Sequence, residues 1–320
     1  MMRNIFIGTY IEKLWIYKFV FAGYSKLKFL YRDYLISDRK AITIRFRRAF
    51  GYTLDIENPQ TLNEKIQWLK LYDRTNLHTR CADKYKVREY VKSKIGESYL
   101  VPLVFETKNV RDLIPDNFPD YPVIIKTNHD SSGGVIVRNK AETDWKRLQK
   151  HFNKLLKSNY YYKSNEWQYK NIERRLVVEK LLVRKDGGVP YDYKVHCFNN
   201  KAITIQVDID RSGEHKRNWY SSSWKREPFW WSSLKSGGRR TDPAKWDVDK
   251  PECLPELIRL SEILSQEFIY VRADWYIVDN WIYFGELSFH HDGGLHPIWP
   301  KEWDYKLGQL LKLPIDESRD

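Results

Sequence analysis

The sequence predicts an α+β protein of two lobes behind a basic helical extension, and three observations carry that prediction. Strand-like apolar runs fall between a few well-marked helices. One such run, Tyr121 to Ile125, ends in Lys126 and passes through Thr127-Asn128-His129-Asp130-Ser131-Ser132-Gly133-Gly134 into a second run, Val135-Ile136-Val137. Toward the end of the chain, two longer runs carrying Asp274 and Glu286 flank the polar triplet Asp279-Asn280-Trp281. A small lobe bearing the Lys126 loop therefore sits mid-sequence, with a larger sheet after it.

The chain of 320 residues is long enough for two or three modules. Its 42% hydrophobic and 30% charged residues exclude wholesale disorder. The rings (Tyr 22, Phe 14, Trp 13) suit a sugar or base pocket, and equally a large core or an interfacial belt. Cys81, Cys197 and Cys253 are odd in number and unclustered, which fits a reduced, cytoplasmic chain without structural zinc. The net charge of +13 is concentrated: residues 1–50 hold eleven Lys or Arg against three acids. That distribution argues against a nucleic-acid surface spread over the protein.

Taken in order, residues 1–34 form the extension. Ile7, Tyr10, Leu14, Tyr17, Phe21 and Tyr24 recur at spacings of three and four, one stripe of a helix. Lys13 and Lys18 break any apolar run of the roughly 18 residues a span requires, so the helix does not cross a bilayer. Its aromatic stripe and flanking cations suit the anionic inner face of a plasma membrane, or packing on the protein itself. A helical part, 35–100, follows. Thr61 and Glu64 form a capping box opening a helix over Leu62 to Leu71. A second helix over Asp83 to Val91 places Lys84 and Arg88 on one face.

The small lobe, 101–175, holds strands at 101–105, 123–126 and 135–138, and a helix at 145–156. The C-terminal lobe, 176–320, holds strands at 176–183, 191–198 and 202–209, an irregular stretch from 210 to 250, a helix at 256–268, and strands at 269–278 and 282–289.

Lys126 and the glycines after it read as a phosphate clasp, because glycines let backbone N–H groups approach and cradle anionic oxygens. It is not a Walker loop, in which the Lys follows the glycines and opens a helix. A solvated hairpin turn is the plainer alternative. If Val278 pairs with Ile282 around a three-residue loop, Asp274 faces Glu286 and Arg272 faces Ser288. Opposed side chains stand roughly 4.5–5.5 Å apart at Cβ, and like charges there repel. A cation between them is expected, and magnesium suits two carboxylates in company with phosphates. A two-residue turn would put the acids on opposite faces. Finally, Val177-Val178-Glu179-Lys180-Leu181-Leu182 reads as an edge segment whose free backbone could meet the rim of an adenine, with Asp192 and Lys194 beyond the Gly187-Gly188 turn.

The order of these parts, with Asn58-Pro-Gln-Thr-Leu-Asn-Glu-Lys-Ile-Gln-Trp-Leu-Lys70, Ala82-Asp-Lys-Tyr-Lys-Val-Arg88, Arg272-x-Asp274, Glu286-x-Ser288 and His290-His291-Asp292-Gly293-Gly294, resembles the ATP-grasp superfamily and, within it, the TupA-like branch named for teichuronopeptide biosynthesis. The resemblance covers about residues 36–315. It implies ATP held between two α+β lobes, with Lys84 and Lys126 on its phosphates, Ser131, Ser132, Gly133 and Gly134 closing over them, Glu179, Lys180, Leu181 and Leu182 at the adenine, and Asp192 and Lys194 near the ribose and phosphates. Asp274 and Glu286 would hold magnesium. Ser288 stands where many relatives have Asn, so its place in that set is the departure. Arg272 would grip an acylphosphate, Lys126 would neutralise the transferring phosphoryl group, and His290, His291, Gly293 and Gly294 would meet substrate. The implied reaction joins an amino acid or amine to a uronic-acid-bearing, lipid-linked saccharide of the cell surface. A sugar kinase using the same site, and a non-catalytic membrane- or RNA-binding module, are the rival readings.

Overall fold

The computed structural model describes residues 36–131, 134–210, 213–232 and 241–315. The predicted helical stripe of residues 1–34 lies outside them, as do Ser132 and Gly133 of the clasp. The chain divides into units of residues 1–45 and 46–320. Helix α1 spans Asp38–Phe50, and the elements that follow it belong to the larger unit. No helix among the described residues is long and apolar enough to cross a membrane.

The helices that follow are α2 (Leu62–Tyr72), α3 (Asn76–Ala82), α4 (Val87–Ile95), α5 (Trp145–Leu156), α6 (Tyr161–Ser164), α7 (Leu254–Ser265) and α8 (Glu302–Leu310). The capping box is present: Thr61 accepts from Glu64 N, and Glu64 reaches back to Thr61 N at 2.9 Å. The helix expected from Asp83 starts four residues later. Asp83 Oδ1 accepts from Tyr85 N and from Asn128 Nδ2 at 2.8–2.9 Å, which turns the chain at Lys84 before α4 begins.

Strands β1 (Leu103–Thr107), β2 (Val123–Thr127), β3 (Gly134–Val137) and β4 (Leu176–Lys180) form an antiparallel sheet in the order β1-β4-β2-β3. Val123, Ile125 and Val178 pack on Leu148 and Phe152 of α5, so Ile124 and Lys126 are turned to the other face. Two expectations are corrected here. β4 belongs to this first sheet, so the change of sheet comes after Lys180 and not at residue 176. It is also an interior strand, not an edge: Lys180 N donates to Pro102 O and Leu181 N to Pro122 O, which uses two of the backbone donors expected to be free.

The second sheet has the order β10-β9-β5-β6-β7, from β5 (Asp192–Phe198), β6 (Lys201–Ile209), β7 (Lys216–Ser221), β9 (Tyr270–Val278) and β10 (Trp281–Ser288). Its registers place Leu287, Ala273, Val195, Ile205 and Tyr220 in one cross-strand row. These side chains are buried in the core shared with α7. The next row, Glu286, Asp274, Lys194, Gln206 and Trp219, is on the opposite face because side chains alternate along each strand. One sheet thus has an oily side and a charged side, both covered. A short pair, β8 (Trp230–Trp231) with β11 (Ile298–Trp299), lies beyond β7.

β7 falls inside the stretch read as irregular. Its Arg217 and Asn218 are buried through hydrogen bonds and not through hydrophobicity, so no apolar alternation marks it. The final hairpin also differs from expectation. Val278 pairs with Trp281 around a two-residue turn in which Asp279 and Asn280 both take left-handed φ, 50° and 61°. A bulge between Phe284 and Glu286 then shifts the register by one, and Glu286 still opposes Asp274, as Ser288 opposes Arg272.

At the far end of the chain α8 returns to the start of α2. Asp304 accepts from Asn63 N at 3.0 Å and from Asn63 Nδ2 at 2.8 Å. A Cβ on Gly308 would stand 2.2 Å from Gln60 O and 2.8 Å from Leu62 N. Backbone cannot step aside as a side chain can, so Gly308→Ala is expected to cost about 3 kcal/mol or more through overpacking. Urea unfolding checks this, and a wild-type midpoint would disprove the close approach.

Candidate active site

Both sheets line a cavity of ≈ 730 Å³. Ile124, Lys126, Gly134 and Ile136 come from the first sheet, and Asp192, Lys194, Asp274 and Glu286 from the charged side of the second. Lys84 and Ser131 complete its polar wall, and Arg184 with Gly188 to Tyr191 its linker side. Gly134 is required by packing: a Cβ there would stand 2.7 Å from Ile124, which forms the cavity wall.

The charges in this cavity are arranged in pairs. Lys194 Nζ donates to Asp274 Oδ2 at 2.7 Å and lies 3.4 Å from Asp192 Oδ1. Burial opposes its charge, yet Asp192 and Asp274 outweigh burial and hold its pKa above the ordinary lysine value. Arg272 grips Asp274 with two parallel bonds, Nε to Oδ1 at 2.6 Å and Nη2 to Oδ2 at 2.7 Å. Its Nη2 also reaches Ser288 Oγ at 3.0 Å and stands 3.6 Å from Glu286 Oε1. Glu286 Oε2 lies 3.1 Å from Lys84 Nζ, which donates to Asp130 O at 2.7 Å. Burial would raise the Glu286 pKa, but Lys84 and then Arg272 hold it down at about 2.

On the other wall, Lys126 Nζ is 2.8 Å from Glu179 Oε2, whose Oε1 meets Arg88 at 3.1 Å. Lys84 and Arg88 therefore serve different acids and do not share a helical face. Ser131 is beside Tyr160, whose phenol pKa is raised to beyond the usual range, by burial first and then by Glu166.

The turn after β10 stands apart from the cavity. His290 Nδ1 is 3.1 Å from Gln168 Nε2 and 3.5 Å from Glu166 Oε2. His291 Nδ1 is 2.7 Å from Arg272 Nη1. A guanidinium only donates, so Nδ1 accepts and the neutral imidazole carries its proton on Nε2. Burial lowers the pKa of both histidines. Gly293 and Gly294 take φ of 64° and 61°, and Gln67 Nε2 binds their carbonyls at 3.0 and 2.7 Å.

The sequence matches the TupA-like ATP-grasp family model over residues 64–312. The chain belongs to the TupA-like ATP-grasp family. Among solved structures it is similar to a D-alanine–D-alanine ligase from Bacillus anthracis complexed with ATP (14% identity, TM-score 0.38, 66% of this chain and 54% of that one). An L-amino acid ligase from Bacillus licheniformis aligns with 13% identity and TM-score 0.42 over 82% of this chain and 56% of that one. A D-alanine–D-alanine ligase from Helicobacter pylori gives 15%, 0.41, 80% and 71%. The chain spans about half the length of the first two. No curated protein matches the sequence.

Within this ATP-grasp chain the cavity gathers Lys84, Lys126, Ser131, Gly134, Asp192, Lys194, Asp274 and Glu286. It does not gather the others. Glu179 is buried against Lys126, Lys180 is exposed over the Tyr121 ring, and Leu181 is buried beyond the end of β4. Leu182, Ser288, Arg272, His290, His291, Gly293 and Gly294 are also not among the lining residues. The sequence reading named neither the apolar cavity wall of Ile124 and Ile136 nor two polar residues outside it. Gln67 and Lys70 look like the solvated side of an amphipathic helix, yet both are buried under the Gly293-Gly294 turn. Their appearance in the motif quoted above was the only signal.

Proposed function

We propose that this ATP-grasp protein is a magnesium- and ATP-dependent carboxylate–amine ligase that works through an acylphosphate. Its physiological acceptor is a uronic-acid-containing precursor of a cell-surface polysaccharide, and its second substrate an amino acid or amine. The observation that carries the proposal is the cavity that Lys84, Lys126 and Lys194 line together with the facing carboxylates of Asp274 and Glu286. Cations on both walls suit a triphosphate, and Ile124 and Ile136 provide an apolar surface for a base.

The donors fit magnesium. Two opposed carboxylates offer hard oxygen ligands, and an ion held by them in company with phosphates needs no third protein acid. Asp274 and Glu286 would hold it, with the hydroxyl of Ser288 engaged by Arg272. Bound there, it would neutralise phosphate charge and polarise the P–O bonds. Lys126 and Lys84 stabilise the negative charge that develops as the γ-phosphoryl group passes to a substrate carboxylate. The C–O bond to phosphate then breaks as an amine forms the C–N bond. Arg272, which does not line the cavity, holds Asp274 rigid through two parallel bonds and donates to His291. Residues 1–34, which lie outside the described residues, would bring the enzyme to the inner leaflet, where lipid-linked precursors reside.

Incubation with ATP, magnesium, an amino-acid panel and a uronic acid oligosaccharide tests this by mass. A saccharide heavier by one amino-acid residue, with ADP and phosphate released, is expected. A saccharide heavier by a phosphate would replace the ligase with a kinase.

A further inference from the structure

Helix α5 covers the first sheet on the side away from the cavity: Leu148 and Phe152 pack on Val123, Ile125 and Val178, while Ile124 and Lys126 line the cavity from the opposite face. The outer side of α5 is cationic. From Trp145 to Asn165 the chain carries six Lys or Arg and no acid. At about 100° of turn per residue, Lys146, Arg147, Lys150, Lys154 and Lys157 fall within one arc of about 100°, directly opposite Leu148 and Phe152. The stripe runs roughly 16 Å along the helix axis. All five side chains are exposed, with the neutral and exposed Asn153 among them.

The cations of α4 and α7 have acids beside them. Arg88 meets Glu179 and Lys94 meets Glu267, each at 3.1 Å, Lys92 is paired with Glu97, and Arg259 stands 2.7 Å from Glu256. The five cations of α5 have none: no ion pair or side-chain hydrogen bond engages them among the described residues. Asp144, the nearest acid in sequence, caps the helix by accepting from Arg147 N at 3.0 Å. Lys146 with Lys150, Lys150 with Lys154, Arg147 with Lys150 and Lys154 with Lys157 are like-charged neighbours one turn apart, so the stripe works against its own helix. A partner whose negative charge is spread over a surface would relieve that repulsion.

We infer that this face of α5 is a docking surface for anionic lipid headgroups, separate from residues 1–34 and independent of the ligase reading. Charge complementarity carries the choice of partner, since a cluster of four to eight Lys or Arg on an amphipathic helix is the pattern that adsorbs to acidic bilayers. Four of the five are lysines. Their hydrated point charges suit a fluid layer of headgroups, whereas nucleic acid is read by the planar fork of Arg. A uronic acid polymer is the rival polyanion, but as substrate it would have to enter the cavity, and the stripe lies across the first sheet from it. Lipid docked on α5 would leave the cavity on the other side of that sheet.

Co-sedimentation of the full chain with vesicles of phosphatidylcholine, with and without phosphatidylglycerol, tests this. Wild type should bind only the anionic vesicles, and less as added salt screens the charges. The triple variant K150Q/K154Q/K157Q should bind them about 10²-fold more weakly, at about fivefold for each cation removed. Its urea midpoint should equal or exceed that of wild type, because repulsion along the helix is relieved. K150R/K154R/K157R keeps the charge and should bind like wild type. The inference is overturned if wild type ignores the anionic vesicles, or if the Gln variant binds them as well as wild type does, as it would were residues 1–34 the whole source of affinity. Equal loss in the Arg variant would also overturn it, because shape and not charge would then be responsible. Loss of binding to polygalacturonate or RNA in the Gln variant, with vesicle binding unchanged, would reassign the stripe to that polyanion.

Discussion

Asp274→Asn is expected to lose both ATP-dependent turnover and a large part of the protein's stability. Asp274 accepts three strong bonds, two from Arg272 and one from Lys194. Asn offers one oxygen and turns an NH2 group toward donors that cannot accept. Two buried cations would then be poorly compensated, and breaking such a pair costs about 3–5 kcal/mol. On the proposed reading Asp274 would hold the magnesium that neutralises the transferring group, and loss of such electrostatic stabilisation lowers turnover by about 10²–10³-fold. Urea unfolding and an ADP-release assay measure the two effects. A variant as stable as wild type would show that Arg272 and Lys194 find other partners, and one still turning over ATP would remove Asp274 from the site.

Lys84→Met should weaken ATP binding and move the acid limb of stability. Lys84 joins the turn before α4, the clasp loop through Asp130 O, and the second sheet through Glu286. Removing a charged hydrogen-bond donor to phosphate costs about 1.5–3 kcal/mol, or about 10- to 100-fold in affinity. The sign of the pH effect follows from Glu286. Its folded pKa of about 2 lies below the ordinary glutamate value. Its contribution to stability is therefore present above about pH 4.3 and is lost as pH falls through the folded value. Without Lys84 the folded pKa rises, so the window narrows and Glu286 contributes less at neutral pH. Stability curves between about pH 5 and 2, with calorimetry of ATP, are the measurements. Superimposable acid limbs would mean that Arg272 and Lys194 set the Glu286 pKa without Lys84.

Most of the parts of this site were legible because chemistry and period coincide. Thr61 with Glu64, the Lys126 strand ending in glycines, and the helix from Trp145 to Leu156 each follow a local rule, and each is present. The Asp274 and Glu286 pairing was reached by a different route from the one the chain takes. A three-residue loop was expected; a two-residue turn plus a one-residue bulge gives the same opposition. A side-chain period of two cannot distinguish these, because the extra residue can sit in the turn or in the strand. Buried polarity was harder. Gln67, Lys70, Arg217 and Asn218 look solvated by residue type, and only partners distant in sequence show otherwise. β4 was misplaced for a related reason, since an apolar strand with an outward Glu-Lys pair looks the same at an edge and in an interior.

The joining of α2 to α8 has a consequence for biosynthesis. Asn63 waits for a partner 241 residues further along the chain, and the ammonium of Lys65 for the carbonyls of Gly308 and Leu311. At ~5–20 residues per second of translation, that wait lasts roughly 10 to 50 seconds. Until then the apolar stripe of Leu62, Ile66 and Leu69 has no cover from Leu307 and Leu311. Both sheets can pair before this clamp closes, because it waits until the segment through Leu311 has emerged.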